Sequence, residues 1–155
     1  MNQKSELGKR KYSALIIGAG GQGALADAPG SGNEDKIVSF AHVCKEHPGF
    51  YINGFIDNNI EKANAATKVW GGHIFSSIKN AFGVSKMETY GPINVAIVTV
   101  PDDTHYEVLK ELAEYPLKLV IVEKPICNDL IQAREIVELY KAKGTPLMVN
   151  YTRRF

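Results

Sequence analysis

The chain has 155 residues, with 18 Lys and Arg against 17 Asp and Glu, 45% hydrophobic and 23% charged residues. These values describe one ordinary globular domain, long enough to bury about 68–70% of the surface its unfolded chain exposes. A net charge of +1 argues against a nucleic-acid groove or a polybasic membrane anchor, and no apolar run approaches the roughly 20 residues of a membrane-spanning helix.

The first twelve residues are polar, and the four apolar residues at 14–17 are too short a run for a secretory signal. They read as a tail leading into a domain over 13–155. Cys44 and Cys127 have neither zinc-ligand nor disulfide-framework spacing, so buried, reduced thiols in a cytoplasmic protein are expected. His42, His47 and His73 also lack metal-ligand spacing, and no metal site is expected.

Elements follow in strict alternation. Residues 14–17 form a continuous apolar run ending in glycines, as a strand buried on both faces does. Residues 36–47 place Ile37, Phe40, Ala41 and Cys44 on one helical face before Pro48-Gly49. A strand over 51–56 and an alanine-rich helix over 59–68 come next. His73-Ile74-Phe75 suggests a short strand, followed by a helix capped by Ser76 or Ser77 and running through Phe82. Residues 94–100 read as a strand, and Asp103 or Thr104 as the cap of a helix reaching about Glu114. A strand over 118–122 precedes a long helix, capped by Asn128 or Asp129 and ended by Gly144. Ile131, Ile136, Val137, Leu139 and Tyr140 form its apolar stripe. A last strand occupies 146–149. Alternating helices and doubly buried strands predict an α/β fold, a doubly wound parallel sheet with helices on both faces.

Four strand ends, at Gly18, Asp57, Thr99–Pro101 and Glu123–Pro125, are expected to share one edge of the sheet, and three of them carry readable chemistry. Gly18, Gly20 and Gly23 satisfy G-x-G-x-x-G, with Ala19, Gly21 and Gln22 between them, directly after the first strand. In such a turn the first glycine permits the bend, the second lets a diphosphate approach the backbone, and the third lets helix and strand pack closely. The second strand ends at Asp57-Asn58, where a carboxylate accepts both adenosine ribose hydroxyls and repels a 2′-phosphate. NAD is therefore expected over NADP. Asp57 lies 34 positions after Gly23, whereas about 20 is usual. A polar, glycine-rich insert over 27–35, DAPGSGNED, accounts for most of the excess. With almost no apolar anchor, it is expected to be a mobile surface loop near the diphosphate. The third strand end is Glu123-Lys124-Pro125, whose lysine could serve a reacting hydroxyl. Tyr106 and Lys110 match Y-x-x-x-K, a chance match, because the short-chain dehydrogenases that use that pair have a different glycine pattern. Arg153 and Arg154 read as solvated charges.

Taken together, IIGAGGQG (16–23), GFIDNN (54–59), VAIVTVPDDTH (95–105), VEKP (122–125) and VNYTRRF (149–155) resemble the Gfo/Idh/MocA family of oxidoreductases. The resemblance implies a Rossmann-like, NAD(P)-binding domain normally followed by a larger substrate domain, absent from this chain. It implies that Lys124 contacts substrate and assists proton transfer while Glu123 positions the nicotinamide side. It places Thr99, Pro101 and His105 around the cofactor and Tyr151 near the nicotinamide and substrate. Asp102 stands where the family commonly has Asn. The implied reaction is hydride transfer between nicotinamide and a secondary alcohol of a sugar or cyclitol. The longer form is expected to be homo-oligomeric, and the 155-residue chain alone inactive. A non-enzymatic nucleotide-binding module is the alternative; VEKP and VNYTRRF argue against a third reading, a methyltransferase.

Overall fold

The structure, a computed structural model, describes residues 12–85, 87 and 89–151. Its strands and helices are β1 (Tyr12–Ile17), α1 (Phe40–Glu46), β2 (Phe50–Ile56), α2 (Ile60–Trp70), β3 (His73–Ile74), α3 (Ile78–Val84), β4 (Val95–Val98), α4 (His105–Leu112), β5 (Leu119–Glu123), α5 (Leu130–Lys143) and β6 (Leu147–Asn150). The strands pair in the order β3-β2-β1-β4-β5-β6, all parallel. This is the Rossmann order, whose direction reverses between β1 and β4, leaving a crevice beyond the carboxyl ends of those strands.

Alternation along the strands builds the two faces. Leu15, Ile17, Ala96, Val98, Val120 and Val122 join Ile78, Ala81 and Phe82 of α3, Leu109 and Leu112 of α4, and Ile136 and Tyr140 of α5. Ala14, Ile16, Val95, Ile97 and Ile121 point the other way, onto Ala41 and Cys44 of α1 and Ala66 of α2. Burial raises the Cys44 thiol pKa to about 12 and also raises that of Cys127; neither thiol is disulfide-bonded.

Short polar side chains set the helix starts. Ser39 accepts from the N–H of His42, Asn59 from Glu61 and Lys62, Ser77 from Asn80, and Asp129 from Gln132. Gly144, at φ +70°, ends α5 in the left-handed region where glycine carries no Cβ penalty.

Several boundaries differ from the sequence expectation. β1 starts at Tyr12, so the predicted tail overlaps it by one residue; residues 1–11 and 152–155 lie outside the described ones. The first helix starts at Phe40, not near 36, and Ile37 is 58% exposed. The reason is Asp27, whose carboxylate accepts from the N–H groups of Val38 and Ser39 and so fixes the start of the helix. Neither Asp103 nor Thr104 caps α4 through its side chain; a 3₁₀ turn over Asp102–Thr104 leads into the helix instead. On α5, Ile131 is 76% exposed. Five residues from Ile136, it lies roughly 140° around the helix from the buried face.

Candidate functional site

Strand register assembles the site. Ile56, Ile17, Val98, Val122 and Val149 pair in sequence across β2, β1, β4, β5 and β6. The next residue on each strand is Asp57, Gly18, Thr99, Glu123 or Asn150. Four of these five were singled out from sequence, and the sheet brings them into one row along its carboxyl edge.

The glycine turn is constrained by this row. Gly18 has φ +98°, and a Cβ there would lie 2.7 Å from the Thr99 backbone carbonyl. A Cβ on Gly23 would overlap the Gly18 carbonyl oxygen and approach the Thr99 hydroxyl to 2.7 Å. The Thr99 hydroxyl donates to that same Gly18 oxygen at 2.6 Å. Thr99 is thus a clamp beneath the turn. Gly20 and Gly21 are different, because a Cβ on either meets nothing within 4 Å. The turn continues as a single helical turn over Gly21–Leu25, and the N–H groups of Gly20, Gly21, Gln22 and Gly23 have no acceptor among the described residues. Unpaired N–H groups beside open space suit an anionic ligand.

Asp57 is half-buried at the end of β2. Its Oδ2 accepts from the Ala19 N–H at 2.7 Å and its Oδ1 from the Asn59 N–H at 2.8 Å. A carboxylate offers about four lone-pair sites, so acceptor capacity remains for ribose hydroxyls. Asn58 is exposed next to it. These residues fit a dinucleotide: donors for the diphosphate, open space at the second glycine, and a carboxylate at the next strand end.

On the other side of the switch point, Lys124 is exposed and forms no ion pair among the described residues. Glu123 is half-buried and accepts from Asn150 Nδ2 at 2.6 Å. Tyr151 is 53% exposed and Pro101 is exposed. His105 is placed differently from these, being only 1% exposed. Its Nδ1 lies 2.7 Å from the Pro125 carbonyl and its Nε2 3.0 Å from that of Val100. It ties the loop after β4 to the loop after β5 from beneath.

The insert carries an anchor that its composition conceals. Asp27 is 2% exposed, and its Oδ2 accepts from Val38, Ser39 and the His42 ring at 2.6, 2.9 and 3.0 Å. Burial opposes its charge, but the hydrogen bonds from Ser39, Val38 and His42 together hold its pKa below the ordinary 3.8. The His42 ring packs on Trp70 with centroids 4.9 Å apart, and Trp70 Nε1 donates to the Ala24 carbonyl at 2.6 Å. Neither Asp27 nor Trp70 belongs to a recognisable motif. The only sequence signal for Asp27 was an acidic residue opening the insert.

Two other features lie away from this edge. Tyr106 donates to Glu135 of α5 at 2.7 Å, a bond that raises its pKa, and Lys110 donates to Tyr106 at 3.2 Å. The pair is a surface tie between α4 and α5. An apolar hollow of about 390 Å³ between α5 and β6, lined by Ile126, Val137, Leu147 and Val149 among others, contains none of the row residues. Among the described residues, no three His, Cys, Asp or Glu side chains form a group suited to a metal, and no helix is long and apolar enough to cross a membrane.

Known proteins share this fold. The family model for oxidoreductases with an NAD-binding Rossmann fold matches residues 13–151. An uncharacterized oxidoreductase, YdgJ of Escherichia coli K12, is 38% identical over 63 residues, 41% of this chain and 18% of its own length. Among solved structures, an NAD-binding protein from Listeria innocua superposes with TM-score 0.70 at 22% identity, over 94% of this chain and 37% of its own. The WlbA dehydrogenase of Chromobacterium violaceum, solved with NADH and UDP-GlcNAcA, gives TM-score 0.70 at 18% identity over 91% and 35%. The chain therefore spans little more than a third of the length of these solved structures. Matched over most of its length, and with its glycine turn, Asp57 and Lys124 on one sheet edge, the chain belongs to the Gfo/Idh/MocA oxidoreductase family as an NAD-binding Rossmann domain.

Proposed function

We propose that this domain serves hydride transfer between nicotinamide and a secondary alcohol carbon of a sugar- or cyclitol-like substrate, with Lys124 handling the hydroxyl proton. The observation carrying this reading is the row itself: an exposed, unpaired lysine directly follows Glu123 on the edge that also presents the glycine turn. When bound, the nicotinamide accepts or returns the hydride. The Gly20–Gly23 N–H groups hold the diphosphate, and Asp57 accepts from the ribose hydroxyls. Thr99 and Pro101 flank the crevice, while His105 fixes the two loops bordering it. The Lys124 ammonium stabilises negative charge developing on the substrate oxygen and exchanges its proton. Tyr151 borders the substrate side. The likeness to a dehydrogenase solved with a nucleotide sugar supports the substrate class.

A crevice needs two walls, and in this reading the second belongs to a substrate domain. Without it, the benefit of holding both reactants together is lost, worth about 7–11 kcal/mol of barrier. General acid–base help from Lys124, typically about 10²–10⁴-fold, does not replace it. The chain alone should therefore bind NAD more tightly than NADP by calorimetry yet reduce no NAD with a panel of sugars and polyols. Extended with a substrate domain, it should turn over one of them, and Lys124→Ala should then abolish most turnover with NAD affinity retained. Robust turnover by residues 1–155, or an active extended Lys124→Ala variant, would sink the assignment.

A further inference from the structure

We infer that Asn150 is a positioning residue that holds the Glu123 carboxylate in place on the cofactor edge; this rests on the function proposed above and on the nicotinamide-side role that the family resemblance implies for Glu123.

Asn150 is the β6 member of the same row, paired in register with Glu123. Its side-chain amide donates to Glu123 Oε1 at 2.6 Å. The direction of that bond is set by chemistry, because an ionised carboxylate only accepts, so the amide nitrogen must face it. Both residues are half-buried at their strand ends, so neither is a freely solvated side chain. Glu123 Oε2 has no partner among the described residues. The amide thus immobilises one oxygen and leaves the other to accept from a donor in the crevice, the chemistry a carboxamide N–H₂ supplies. A neutral donor suits this task. A lysine or arginine at 150 would satisfy the carboxylate with charge, and an alanine would leave it without this donor.

The test is a double-mutant cycle on the 155-residue chain, reading NADH affinity and the fluorescence of the bound nicotinamide, with melting temperature as a folding control. Asn150→Ala and Glu123→Ala should each weaken NADH about tenfold, the size expected for a hydrogen bond to a charged group. The double variant should be no weaker than Glu123→Ala, since the two changes remove one interaction. Asn150→Ser, which keeps a short donor, should recover part of the loss; it also serves if Asn150→Ala fails to fold. Asn150→Asp sets two carboxylates face to face. Its affinity should recover as pH falls and one takes up a proton, while Asn150→Ala shows no such recovery. Additive losses, or an Asn150→Asp variant indifferent to pH, would overturn the role of Asn150 while leaving cofactor binding intact. Failure of the unmutated chain to bind NADH would overturn the reading of the whole edge, and this inference with it.

Discussion

The two faces of the sheet are held by different means. On the face covered by α3, α4 and α5, the core consists of large side chains: Leu15, Phe82, Leu109, Leu112, Ile136 and Tyr140, with Phe82 stacked on Tyr115 at 4.0 Å. On the face covered by the glycine turn, α1 and α2, the buried set includes Ala14, Ala19, Ala24, Ala41 and Ala66. Small residues let the turn lie close against β1, where the function proposed above would bring a diphosphate to the backbone. They also bury less apolar area, at about 25 cal/mol per Å². Polar ties supplement that smaller core: Asp27 to the start of α1, Trp70 to Ala24, and Thr99 to Gly18. The face carrying the glycine turn thus adds several directional bonds to its burial, whereas the opposite face relies chiefly on burial.

The largest effect should come from the apolar face. Leu109 is fully buried, and Leu109→Ala should cost about 2–5 kcal/mol of stability. Because the site row is on the sheet edge, NAD affinity measured well below the melting temperature should be nearly unchanged. A large affinity loss with little loss of stability would reverse the comparison.

Next comes the glycine turn. Gly23→Ala forces a methyl group onto the Gly18 carbonyl, and should cost about 1–3 kcal/mol, as overpacking does, with NAD binding lost in parallel. Gly21→Ala meets no protein atom within 4 Å, so its melting temperature should stay near that of the parent. Matching thermal scans of the two variants would show the constraint to be local if only the first is destabilised.

An effect of similar size at neutral pH, which shrinks in acid, is electrostatic. The Asp27 carboxyl has a folded pKa below 3.8, so the unfolded chain takes up its proton first as pH falls. Its stabilisation is therefore complete above the unfolded value and disappears as pH drops through the folded one. At neutral pH, Asp27→Ala should cost about 1–3 kcal/mol for the donors left unpaired. The gap between parent and variant should narrow in urea titrations carried below pH 3.8. A gap independent of pH would show that packing, and not the ionised carboxylate, holds the insert.

Much of this was legible in the chain. The alternation of apolar runs with helical segments implied a parallel doubly wound sheet, because doubly buried strands leave continuous apolar stretches. The glycines, Asp57 and Glu123-Lys124 were visible because each ends such a run. Residues acting through hydrogen bonds across long sequence distances were not. Asn150 looked like a polar residue just beyond the last strand, and Asp27 like the start of a loose loop. The single-residue pattern also misplaced Ile37 and Ile131, since apolar periodicity does not reveal where a helix starts or which way it faces the sheet.

Local chemistry therefore determined the fold class, the glycine turn and the strand-end charges, because steric freedom at glycine and burial of apolar runs act over a few neighbouring residues. Tertiary structure decided the rest. Parallel register aligned Asp57, Gly18, Thr99, Glu123 and Asn150 in one row, buried His105 between two loops, and turned Asp27 inward. Those outcomes depend on contacts between residues up to 81 positions apart in the chain, which no short stretch of sequence encodes by itself.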